Sequence, residues 1–122
     1  MIITSFMARA QVEHIKALNA PDSISNIYNK KLFGDSLASS FIIIIKKEVK
    51  LHRHDTHSEH IYVVSGKAQM TLGNESFDMK PGDFIFIPKG TPHKVKVISV
   101  EPFKVLSIQA PLFDGKDRVM LE

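Results

Sequence analysis

The chain has 122 residues, enough for one domain with a core of its own and no need of covalent staples. It contains no cysteine, which excludes disulfides, thiolate zinc sites and cysteine nucleophiles together. Lys and Arg number 16 against 13 acidic residues, a net charge of +3, and the lysines fall in scattered pairs (Lys30-Lys31, Lys46-Lys47) rather than along a stripe with interleaved aromatics, so no nucleic-acid interface is expected.

The first ten residues are apolar and end in Ala8-Arg9-Ala10, a small-x-small pattern like a signal-peptidase site. The stretch is short and has no basic region before it, so an ordinary N-terminal segment docked on the domain, and a cytoplasmic location, are favoured over a truncated export signal. No apolar run is long enough to span a bilayer, and no membrane partner is expected. Val12, Ile15 and Leu18 recur at near-helical spacing and predict a short helix, stopped by Ala20-Pro21-Asp22. The rest reads as strands: residues 25–31, 40–47, 59–64, 67–72, 75–79, 83–88, 93–98 and 103–109. Ile42-Ile43-Ile44-Ile45 is β-branched and suits a strand buried on both faces. Gly73-Asn74 fits a two-residue hairpin loop, and Lys80-Pro81-Gly82-Asp83 a tight turn. Short, evenly spaced strands predict an all-β sandwich or barrel. Residues 1–39 form an N-terminal segment of short helix and edge strand packing on a barrel over 40–110, and 111–122 form a C-terminal tail, all one domain.

Side chains alternate along a strand with a period of two. His93, Val95 and Val97 therefore share an inner face, and Lys94 and Lys96 a wet one. From Glu59, the side chains of Glu59, Ile61 and Val63 point one way and His60, Tyr62 and Val64 the other. The second set is too apolar for a fully solvated surface. Cover by the N-terminal segment would relieve it, but a homodimer is the preferred explanation.

The densest chemistry lies in His52-Arg53-His54-Asp55-Thr56-His57-Ser58-Glu59. Neutral imidazole and carboxylate hold divalent transition metals, and His52 and His54 share one face of an extended strand. A sharp bend would return Glu59 towards them, and His93 is a fourth candidate. These residues resemble the cupin superfamily. Its first motif has two histidines one residue apart, a glutamate after three or four residues and a glycine after six more, which His52, His54, Glu59 and Gly66 match. Its second motif is matched by Gly82, Pro88, Gly90 and His93. The chain departs at Lys46, where the family has glycine, and at Val97, where it has asparagine; neither position binds metal in the family. The resemblance covers residues 40 to 110 and implies a small single-domain double-stranded β-helix, or jelly-roll barrel, with the metal inside one mouth.

The metal set is then His52, His54, Glu59 and His93. Such donors suit iron, manganese, nickel or zinc. Four protein ligands on an octahedral metal leave two neighbouring positions for substrate, water or dioxygen. His57 is a candidate acid or base beside the metal, although a loop histidine facing water is the plainer expectation. His60 is excluded from the metal set by parity. The pocket wall is expected to be apolar, from Ile61, Val63, Met70, Val95 and Val97, with Gln109 its one polar side chain. No arginine pair stands inside the expected barrel. The charge run from Asp114 to Arg118 could close over the barrel or pair with a partner subunit, but a solvated tail is the plainer expectation. Two functions compete: a metal-dependent enzyme on a small oxygenated molecule, with dioxygenase-like oxidation leading isomerisation and decarboxylation, and a non-catalytic module that binds or senses a small molecule.

Overall fold

The computed structural model describes residues 10–122, so the signal-like stretch lies almost wholly outside the described residues. Among the described residues ten strands follow one another: β1 (Ile27–Gly34), β2 (Ser39–Ile45), β3 (Glu48–Arg53), β4 (Ser58–Ser65), β5 (Ala68–Leu72), β6 (Glu75–Met79), β7 (Phe84–Ile87), β8 (His93–Val97), β9 (Phe103–Ala110) and β10 (Val119–Met120). They form two five-stranded antiparallel sheets, in the orders β1-β2-β9-β4-β7 and β10-β3-β8-β5-β6. The sheets face each other across a core of Ile45, Ile61, Val63, Ala68, Met70, Met79, Ile87, Val95, Phe103 and Val105. Burying each larger aliphatic or aromatic member contributes about 1.5–3 kcal/mol. The all-β jelly-roll expectation is met.

The N-terminal helix is not. Only one 3-10 turn forms, Ile15–Ala17, with no side-chain cap and no acidic residue in its first turn. Three apolar residues cannot hold so short a helix, which has little stability of its own. Instead the segment lies extended, leaves Val12 71% exposed, and offers the Lys16 carbonyl to Lys104 Nζ at 3.2 Å. Two strands, β3 and β10, lie outside the expected strand ranges, although β3 supplies the extended backbone expected at His52. The β5–β6 hairpin has its two-residue loop at Gly73-Asn74, with Leu72 facing Glu75 and Gly73 at φ +58°.

Gly66 ends β4 where the chain turns onto β5. Its φ is +78°, and a Cβ there would strike the Pro102 carbonyl oxygen and lie 2.8 Å from Phe103 Cα. The turn leaving β4 packs this closely on the start of β9, its neighbour in the same sheet, only because no side chain intervenes.

Candidate metal centre

Simple alternation along β3 would put His52 on the face opposite to Val49. The register prevents this. Val49 faces Val95 and His52 faces His93, so three residues of β3 span two of β8. This bulge flips the parity, and Val49, His52 and His54 all turn inward. The Lys50 carbonyl, inside the bulge, accepts His52 Nδ1–H at 2.7 Å. Glu59 and His93 come from β4 and β8, on opposite sheets. The Gly90 amide donates to the His54 carbonyl, which ties the loop before His93 to the end of β3.

His52, His54 and His93 are buried, and one ring nitrogen from each lies within 4.8 Å of the others. Each Nδ1 faces a backbone carbonyl: Lys50 for His52, Asp117 for His54 at 2.7 Å and Thr91 for His93 at 2.9 Å. A carbonyl only accepts, so each Nδ1 carries a hydrogen and each Nε2 is left to turn inward. Glu59 Oε2 lies 3.6 Å from His54 Nε2 and 4.0 Å from His93 Nε2. Three of the expected ligands converge, and Glu59 stands beside two of them.

The electrostatics suit a cation. Burial, then the neighbouring His93, pulls His52 down to about 4, outweighing its hydrogen bond to the Lys50 carbonyl. His93 is lowered by burial against the pull of the Thr91 carbonyl and Glu59. Burial also acts on His54, but Glu59 and the Asp117 carbonyl outweigh it and raise its pKa. Burial works against the Glu59 charge, yet His54, Ser107 and His93 together hold its pKa low. Burial thus holds two imidazoles in the neutral, metal-donating form, while Glu59 and the Asp117 carbonyl make the third more basic. Three imidazoles and a carboxylate oxygen are the donor chemistry of a divalent transition metal.

His57 does not face water. It is 1% exposed, stacks on His54 at 4.2 Å between ring centroids, and turns Nδ1 to Asp117 Oδ2 at 2.7 Å. Its Nε2 is buried without a partner among the described residues. Nor does it border the inner cavity of about 60 Å³, which is lined by Ile61, Met70, Val95 and Gln109 together with the three imidazoles and Glu59. Val63 and Val97 belong instead to the core and its edge. His60 points to the other face, against Phe84 and Phe86.

The expected solvated tail is also corrected. β10 pairs with β3, Val119 opposite Arg53 and Met120 opposite His52. The Asp117 carboxylate accepts the Asp55 and Thr56 amides, Thr56 Oγ1 and His57 Nδ1, at 2.7–2.9 Å. Arg118 consequently lines the cavity. The sequence pattern marks the charged segment but not the part Asp117 or Arg118 plays in it, because each depends on a pairing made across some 60 residues. A larger groove of about 500 Å³ between Lys50, Lys94, Lys96 and their neighbours contains none of the converging imidazoles.

Two facing sheets around a buried three-histidine cluster define a small jelly-roll barrel with the makings of a divalent metal site. A family model described as Cupin domain matches residues 41–109, and the chain belongs to the cupin family. It is 40% identical over 97 residues to an uncharacterised protein of Methanocaldococcus jannaschii, covering 80% of this chain and 75% of that protein. It is 46% identical over 50 residues to quercetin 2,3-dioxygenase of Bacillus subtilis, covering 40% of this chain but 14% of the enzyme. A Klebsiella pneumoniae protein with a double-stranded β-helix domain superposes with a TM-score of 0.78 at 19% identity, over 93% of this chain and 99% of that one. That likeness speaks for the fold. Among the described residues no helix is long and apolar enough to cross a membrane.

Proposed function

We propose that the protein is a metal-dependent enzyme acting on a small oxygenated molecule, with His52, His54, His93 and Glu59 holding an iron, manganese, nickel or zinc ion. One observation carries the reading: every imidazole of the cluster spends its Nδ1–H on a backbone carbonyl, leaving the Nε2 atoms to converge. Such a bound ion supplies Lewis acidity or an electron path to dioxygen. Around it the apolar walls exclude water, Ser107 holds Glu59 Oε1 at 2.7 Å, and Asp117 fixes the loop that carries His54. The segment shared with quercetin 2,3-dioxygenase favours dioxygenase-like oxidation over isomerisation or decarboxylation.

Metal analysis of the purified protein and of His54→Ala tests the centre. Stoichiometric metal in the first and its loss in the second are expected, and a metal-free parent protein would refute it. Turnover is assayed with iron(II) under dioxygen on catechols, diketones and small thiols. A binding or sensing module is the second reading. It is favoured by the position of His57, which leaves the cavity no imidazole besides the cluster. Stoichiometric metal without turnover on any such compound would select it.

We also propose that the chain pairs with a second copy through the outer face of the β1-β2-β9-β4-β7 sheet. There Tyr62, Phe84, Phe86 and Ile108 remain exposed beside His60.

A further inference from the structure

We propose that the cavity takes a small hydroxycarboxylate, whose carboxylate pairs with Arg118 and whose hydroxyl donates to Gln109 Oε1. The inference rests on the metal centre above for its cation but concerns two residues outside the donor set.

Gln109 is oriented by a one-way relay. Ser107 Oγ donates to Glu59 Oε1 at 2.7 Å, since a carboxylate only accepts, and its lone pair takes Gln109 Nε2 at 3.2 Å. The amide oxygen is therefore the end left over. It is buried, has no partner among the described residues, and belongs to a side chain that lines the cavity. Leaving such an acceptor unsatisfied costs about 1–3 kcal/mol, and a ligand hydroxyl removes that cost.

Arg118 supplies the other half. It borders both the inner cavity and an outer groove of about 200 Å³ that share Ile27, Val49 and His52. Among the described residues it has no carboxylate partner within ion-pair distance. Of the nearby acids, Asp117 is engaged by the loop, Asp55 by Arg53 at 2.8 Å and Glu122 by the Leu51 amide, while Glu48 borders the outer groove and not the inner cavity. Among the described residues Glu59 is the one carboxylate that lines the inner cavity, against Arg118 and, when bound, a doubly charged ion. The chamber is short of negative charge, and a carboxylate makes up the deficit. At about 60 Å³ the inner cavity has room for only a few heavy atoms.

The whole chain, its metal content measured, is titrated by calorimetry with glycolate, acetate and ethylene glycol. These carry both groups, the carboxylate alone and the hydroxyls alone. Glycolate should bind tightest. Arg118→Gln should weaken it by about ten- to hundredfold, the usual worth of a hydrogen bond to a charged group, with metal content unchanged. Gln109→Leu should narrow the gap between glycolate and acetate. Glycolate binding that is no tighter than that of ethylene glycol, or that Arg118→Gln leaves unchanged, overturns the proposal. Protein without metal that still binds glycolate through Arg118 would sink the metal centre and keep this inference.

Discussion

Asp117 governs more of the site than its place near the chain's end suggests. Burial works against its charge, but the donors from Thr56, Asp55 and His57 prevail and hold the carboxyl well below the usual carboxylate range. A depressed carboxyl stabilises the fold fully above its unfolded pKa and loses that contribution as pH falls through the folded value. The latch therefore holds throughout the mildly acidic range. Asp117→Ala leaves the buried His57 Nδ1–H without an acceptor, and should cost about 1–3 kcal/mol in denaturant unfolding. It should also loosen the loop carrying His54 and weaken metal binding by about tenfold.

The histidines set an earlier acid limit. His52, His57 and His93 all have lowered pKa values, chiefly through burial, whereas His54 is raised. A histidine lowered by folding favours the fold above its unfolded pKa and withdraws that support as pH drops towards the folded value. The raised His54 acts in the opposite sense. With three lowered against one raised, chelator-treated protein should lose thermal stability as pH falls from about 6.5 to about 4. A thermal midpoint that stays flat across that window would contradict the assignment.

Among the elements, the strands that alternate cleanly could be read from the sequence. In β8, His93 and Val95 are buried and Lys94 and Lys96 exposed, as parity requires. In β4 the same rule separates Glu59 from His60. β3 escaped because its inward residues, Val49 and His52, do not share a parity, and only pairing with β8 reveals the extra residue. β10 escaped because two residues carry no periodicity; partner strands make such an element. The N-terminal apolar spacing misled, since spacing without a cap or a surface to cover does not make a helix. Gly66 offers a clean test at this scale. Gly66→Ala combines a left-handed backbone with a collision against Pro102, and unfolding measurements should show a loss of about 2 kcal/mol or more.

At the scale of the whole molecule, the outer sheet face is covered in one part and open in another. The N-terminal segment reaches one part of it, where Lys16 meets Lys104 of β9 and Asn19, Ala20 and Asp22 lie beside Ile44. Towards β7 the face stays open, with Phe84 65% and Phe86 50% exposed. Large exposed aromatics grouped on one sheet are uncommon on a monomer. Replacing Phe84 and Phe86 by Asp should leave the fold and metal content unchanged and halve the particle mass in light scattering. A parent protein that sediments as a monomer at micromolar concentration would refute the pairing.

The bulge in β3 makes the approach to the histidines tolerant of one residue's change in length. Deleting Lys50 would set two residues of β3 against two of β8, so ordinary alternation would still turn Val49, His52 and His54 inward. What goes is the carbonyl that holds His52 Nδ1–H. The deletion should therefore yield a folded barrel that still binds metal, but about tenfold more weakly, as metal titration of the purified protein would read. Length ahead of the ligands is free to vary by one residue where the spacing among them is not.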